Sequence, residues 1–263
     1  MSMTFKRPMF RKLRIAILLL ILFNVAVGAW MARSRATSWT HSLRVAVFPI
    51  AGDASPATAS YVAALDAPTF APLERFFRDE GQRHGLAQPH PVSIQLEPRV
   101  NALPPVPPHG QGALHVMVWS LQMRFWAWRH GGVDGPSPHV RLFVVYHDAK
   151  LTPMVPHSLG LQKGLIGVAH VFAAPEQSAE NLVVIAHEVM HTVGATDKYD
   201  PATNLPVFPD GYADPQLAPL LPQSLAELMA GRIAVSSTEA QMPRGLGAVL
   251  VGHRTAAEIG WVR

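Results

Sequence analysis

The chain has 263 residues, 49% of them hydrophobic and only 15% charged, enough apolar material for a sizeable core and the wrong balance for a disordered chain or a coiled coil. Its net charge of +4 misleads, because residues 1–36 hold seven basic residues and no acid, leaving fifteen basic against eighteen acidic residues from position 37 onward. A body without a basic patch argues against a nucleic-acid partner, and the lack of cysteine rules out disulfides and thiolates, so any zinc would be held by His and carboxylates.

In chain order, residues 1–14 read as a basic tail. Residues 15–31 (IAILLLILFNVAVGAWM) are almost wholly apolar and would extend roughly 25 Å as a helix, slightly short of a ~30 Å hydrocarbon core. Five basic residues precede this run and two follow it, which places the tail in the cytoplasm and the body in the periplasm or outside. The competing reading is a cleaved signal peptide. The run ends in Trp30 and Arg33 without a small-x-small site, which favours an uncleaved, single-pass anchor in the inner membrane. A linker is expected over 32–42 and one folded body over 43–263.

The body opens with LRVAVFPI from Leu43, a β-branched run that reads as a buried strand. Residues 71–84 place Leu73, Phe76 and Phe77 on one face of a helix that stops at Gly85. Residues 92–96 alternate as a strand, and the Pro-rich 101–112 is a loop. Residues 114–130 carry apolar stripes around most of a helix; they read as a core helix, with an interfacial helix resting on a membrane as the rival. Residues 141–148 and 164–173 are further strands, the latter expected at the sheet edge. This alternation predicts an α/β fold with a mixed, twisted sheet.

Chemistry concentrates in residues 181–200, NLVVIAHEVMHTVGATDKYD. Pro175 and Ser178 can start a helix, and Leu182, Ile185, Val189 and Val193 recur at helical spacing. His187 and His191, four apart, present both imidazoles to one ion. Glu188 can aim its carboxylate at a water beside that ion. Gly194 can adopt positive φ and turn the chain back, and Asp197 then offers a third ligand from another direction. Asp200 is the alternative third ligand. Tyr199 could hydrogen-bond a developing oxyanion or simply pack. His147, His157 and His170 have no partner at metal spacing and read as surface or core histidines.

The string His187, Glu188, His191, Gly194, Asp197 resembles the H-E-x-x-H-x-x-G-x-x-H/D signature of metzincin zinc peptidases, with Asp as third ligand as in the snapalysin type. A weaker resemblance is to aspzincins, through the T-D-x-Y element. The metzincin resemblance implies a zincin-like fold with an active-site helix, Zn2+ on His187, His191 and Asp197, and Glu188 as general base. It also implies a methionine turn beneath the metal, for which Met229 is the candidate, an ordinary core methionine being the alternative. The implied activity is hydrolysis of peptide bonds in a peptide or protein substrate held along the edge strand. Two rivals remain at this level: a catalytically silent, zinc-containing periplasmic binding module, against which the intact Glu188 argues, and a structural metal closed by Asp200 or Tyr199.

Overall fold

The computed structural model describes residues 14–20, 23, 27, 28, 31, 34, 36–108, 112–161 and 165–262. Residues 14–20 are helical with exposed side chains. Among the described residues no helix is long and apolar enough to cross a membrane, and the remainder of the expected anchor at 15–31 lies outside them. Within the stretch expected to be a linker, Ala36 and Trp39 are buried. Trp39 Nε1 donates to the Ile259 carbonyl at 2.7 Å, and its ring meets Trp261 edge-on, so the fold is closed by its two ends touching.

Five strands form the main sheet: β1 (Leu43–Ala51), β2 (Val92–Leu96), β3 (Val140–His147), β4 (Leu159–Leu161) and β5 (Ile166–Phe172). Their order is β2-β1-β3-β5-β4, with β4 antiparallel to β5 and the other pairings parallel. The sheet edge on this side is therefore β4. The expectation that 164–173 forms the edge is corrected: β5 lies between β3 and β4, because the three-residue β4 carries too little pattern to be seen in sequence. β1 and β3 are buried along nearly their whole length, as parallel strands covered on both faces must be.

One face is covered by α1 (Pro56–Ala63), α2 (Ala67–Arg83) and α4 (Ser178–Val193), which pack with Val45 and Val47 of β1 and with Leu142 and Val144 of β3. The other is covered by α3 (Ala113–His130), whose Trp119, Met123 and Ala127 meet Phe48, Phe143 and Val168. α2 starts at Ala67, earlier than the sequence suggested. Asp66 and Thr69 form a reciprocal capping box that nucleates it, and Pro72 is accommodated inside the helix. α1 was not expected at all, although Ser55 caps it and Pro56 opens it. Beyond α4 the chain forms short pairs, β6 (Ala226–Glu227) with β9 (Val249–Leu250) and β7 (Ile233–Ala234) with β8 (Ala240–Gln241), and ends in α5 (His253–Glu258).

Candidate metal centre

α4 is held at both ends before any ligand is considered. The side chain of Asn181 is clipped to the end of β5: Phe172 N donates to its Oδ1 at 3.2 Å and its Nδ2 donates to the Phe172 carbonyl at 2.8 Å. At the other end Gly194 takes φ 117° and returns its N–H to Met190 and His191. That left-handed geometry suits glycine, and it reverses the chain so that Asp197 comes back over the last turn.

His187, His191 and Asp197 each bring one ligand atom into a group whose members lie within 4.8 Å of one another. Asp197 Oδ1 stands 3.1 Å from Nε2 of both histidines. Ligands about 2.0–2.1 Å from a tetrahedral zinc are separated by about 3.3 Å, so the donor set already has close to the spacing that one such ion requires. Each ring is oriented from behind by a backbone carbonyl. His187 Nδ1 donates to Leu228 O at 3.0 Å and His191 Nδ1 donates to Ala195 O at 2.9 Å, which frees both Nε2 atoms for the ion. These three residues could hold a metal ion. Asp200 is not part of the group: its Oδ1 accepts from Ala202 N and Thr203 N, fixing its own turn. Of the two aspartates, Asp197 is the one that stands in the group.

The electrostatics follow from crowding. Burial works against a charged His187, but the Asp197 carboxylate and the nearby Glu188 outweigh it and raise the ring to about 8. Burial likewise disfavours the Asp197 carboxylate, yet the two imidazoles hold it well below the usual range. Glu188 is pushed up by burial, against the pull of the two histidines. Its Oε2 is buried with no hydrogen-bond partner, an uncommon condition for a carboxylate oxygen. Tyr199 is half-buried with its ring 6.5 Å from that of His187, and burial followed by the two neighbouring carboxylates raises its hydroxyl.

Met229 is fully buried in a turn that touches both ligand-bearing elements. Its carbonyl accepts from Lys198 N at 2.9 Å, and the preceding Leu228 carbonyl holds His187. Sequence reasoning missed what fixes this turn. Glu227, fully buried, accepts from Met229 N at 2.6 Å and Ala230 N at 3.0 Å through Oε2, and from Gly252 N at 3.0 Å and Thr255 Oγ1 at 2.7 Å through Oε1. It also missed the brace on the Asp197 loop. Glu258 of α5 accepts from Lys198 Nζ at 2.8 Å and from Thr196 N at 2.9 Å, gripping the residues on either side of the ligand.

β4 borders the cluster. Gly160 approaches α4 so closely that a Cβ there would overlap His191 Cβ, which requires glycine at that position. His147 and His170, read from the sequence as surface or core histidines, are hydrogen-bonded to each other, Nε2 to Nδ1 at 2.9 Å, since β3 and β5 are neighbours. Burial depresses both, His170 to about 4, so they form a neutral pair. They belong to no three-ligand group among the described residues. No protein-family model matches the chain, and no curated protein matches it.

Proposed function

We propose that this protein is a membrane-anchored, zinc-dependent peptidase whose body faces the periplasm and whose site is His187, His191, Asp197 and Glu188. The single observation carrying the reading is the convergence of three ligand atoms at metal spacing beside a buried glutamate oxygen with no other partner. A zinc held there would supply Lewis-acid polarisation of the scissile carbonyl and make a nearby water easier to deprotonate.

The remaining work falls to the chain itself. Glu188 takes the proton of the attacking water and returns it to the leaving amine, and burial, which raises its carboxyl, favours its holding that proton between the two transfers. Tyr199 donates a hydrogen bond from its hydroxyl to the oxygen on which charge develops, and keeps its proton. Met229 lies in the turn that supports the floor of the site. An extended substrate adds to the free edge of β4, where backbone groups bind it and Gly160 keeps it close to His191. The basic tail and apolar run at 15–31 hold the body at the outer surface of the inner membrane.

The test is cleavage of a peptide library by the full chain in detergent. Glu188→Gln should keep its zinc and fold and lose on the order of 10²–10⁴ in rate. A Glu188→Gln chain that cleaves as fast as the wild type would refute the mechanism. Zinc binding without cleavage of any peptide by either chain would favour the silent binding module.

A further inference from the structure

Each of the three candidate ligands is set by a contact behind it, and those contacts lead to one short element. His187 Nδ1 donates to Leu228 O, next to Glu227. His191 Nδ1 donates to Ala195 O, and Asp197 lies between Thr196 and Lys198. Glu227 accepts from Gly252 N at 3.0 Å and from Thr255 Oγ1 at 2.7 Å, at the start of α5. Glu258, the last residue of α5, accepts from Thr196 N at 2.9 Å, Thr196 Oγ1 at 3.0 Å and Lys198 Nζ at 2.8 Å. α5 thus braces the supports of all three ligands, that of His187 through Glu227 and those of His191 and Asp197 through Glu258.

Lys198 is buried, and its Nζ also donates to Thr196 O at 2.7 Å, so the ammonium group closes a ring across the backbone that carries Asp197. A buried ion pair adds little net stability. What this one does is fix the chain on both sides of the ligand.

α5 has six residues, far fewer than a helix needs to hold itself in water. Its place is set from outside. Thr255, Ala256 and Ile259 are buried, and the turn that follows is covered by the segment 36–39. Trp39 Nε1 donates to Ile259 O at 2.7 Å, its ring meets Trp261 edge-on, and a Cβ on Gly260 would press on Thr37 O at 3.2 Å. Trp39 takes this position at φ 54°, a left-handed conformation that a bulky residue rarely adopts and that persists only where its surroundings enforce it. The contacts with Ile259 and Trp261 are that enforcement. The same segment joins the body to the apolar run at 15–31.

We infer that Glu258 is a positioning residue for the third ligand and that Trp39, by clasping α5, sets whether Glu258 is in place. Docking of α5 and binding of the metal are then linked, and the linkage is reciprocal: the factor by which docking tightens the metal is the factor by which the metal favours docking. The inference rests on the metal reading of the His187–His191–Asp197 group and needs neither peptide cleavage nor the anchor.

The test is calorimetric titration of zinc into the chelator-stripped full chain, with Met123→Ala as control. Met123 is fully buried on the opposite face of the sheet, so its loss weakens the fold without touching α5. Trp39→Phe keeps a ring in the clasp but has no N–H for Ile259 O. Glu258→Ala and Trp39→Phe should bind zinc about 5- to 100-fold more weakly than the wild type, while Met123→Ala binds as the wild type does. A second measurement needs no variant. In hydrogen exchange of the wild type, zinc should slow the amides of Ile259, Gly260 and Trp261 by a factor in that same range and leave the amides of α3 unchanged. Zinc binding that survives both substitutions, or that falls as far in Met123→Ala, would overturn the inference and leave the metal reading standing. Exchange at 259–261 that is indifferent to bound zinc would do the same. A wild type that binds no zinc would overturn both.

Discussion

α3 and α4 are of similar length and similarly apolar, and they cover opposite faces of one sheet, yet they use their sequences in opposite ways. In α4 the polar groups are inside: Glu188, Asn181 and Thr192 are buried, and both histidines are hydrogen-bonded. In α3 the apolar groups are outside, with only one stripe covered. A polar residue kept in a buried position at a desolvation cost marks chemistry, and an apolar residue left in the open marks contact with something other than water. Hydrophobicity alone does not separate these cases.

The largest expected effects lie at α4. Asp197→Ala should weaken zinc binding by more than the roughly 10–100-fold typical of removing an outer hydrogen-bond partner, while Asp200→Ala, whose carboxylate serves only its own turn, should bind as tightly as the wild type. Calorimetric titration of both variants checks this, and equal loss in the two would reassign the third ligand.

A contrast within α3 is sharper still in logic. Met123, fully buried, should cost about 2–5 kcal/mol when cut to alanine. Leu121, 59% exposed two residues earlier, should change stability by no more than about 0.5 kcal/mol. Urea unfolding of the two variants in detergent measures both, and a large cost at Leu121 would show that the stripe is covered within the chain.

Glu227→Gln tests the support beneath the site. One of the two buried oxygens becomes an NH2 group facing backbone donors, so stability should fall by about 1–3 kcal/mol, and zinc affinity should fall with it because Leu228 O no longer holds His187 squarely. Unchanged zinc affinity in a destabilised chain would confine Glu227 to a purely structural role.

The smallest effect is one of sign with pH. Without metal, His187 has its folded value raised to about 8, above the ordinary value of about 6.5. Its contribution to stability is complete below 6.5 and is lost as pH rises through 8. With zinc the same ring must shed its proton, so metal affinity should rise over that window and then level. Melting temperatures with and without chelator should therefore diverge as pH increases from 6 to 9, and parallel curves would contradict the assignment.

What could be read from the sequence divides along local and non-local lines. The ligand string from His187 to Asp197 was legible because every member sits within eleven residues on one helix and one turn. The mixed α/β sheet was legible through the alternation of strands and helices. β4 was not, since three residues carry no period. Glu227 and Glu258 were invisible because each bonds across a gap, Glu227 to Gly252 and Thr255, and Glu258 to Thr196 and Lys198. The openness of α3 was left undecided, because apolarity around most of a helix fits a core helix and an interfacial one alike, and only the fold shows that one side is uncovered.

The most direct measurement is zinc titration into the chelator-stripped full chain, comparing wild type, Glu188→Gln and His191→Ala. The account predicts one tightly bound zinc per chain in the wild type and in Glu188→Gln, and loss of tight binding in His191→Ala, because Glu188 faces the water and His191 the metal. Equal binding by all three chains, or tight binding lost in Glu188→Gln, would contradict it.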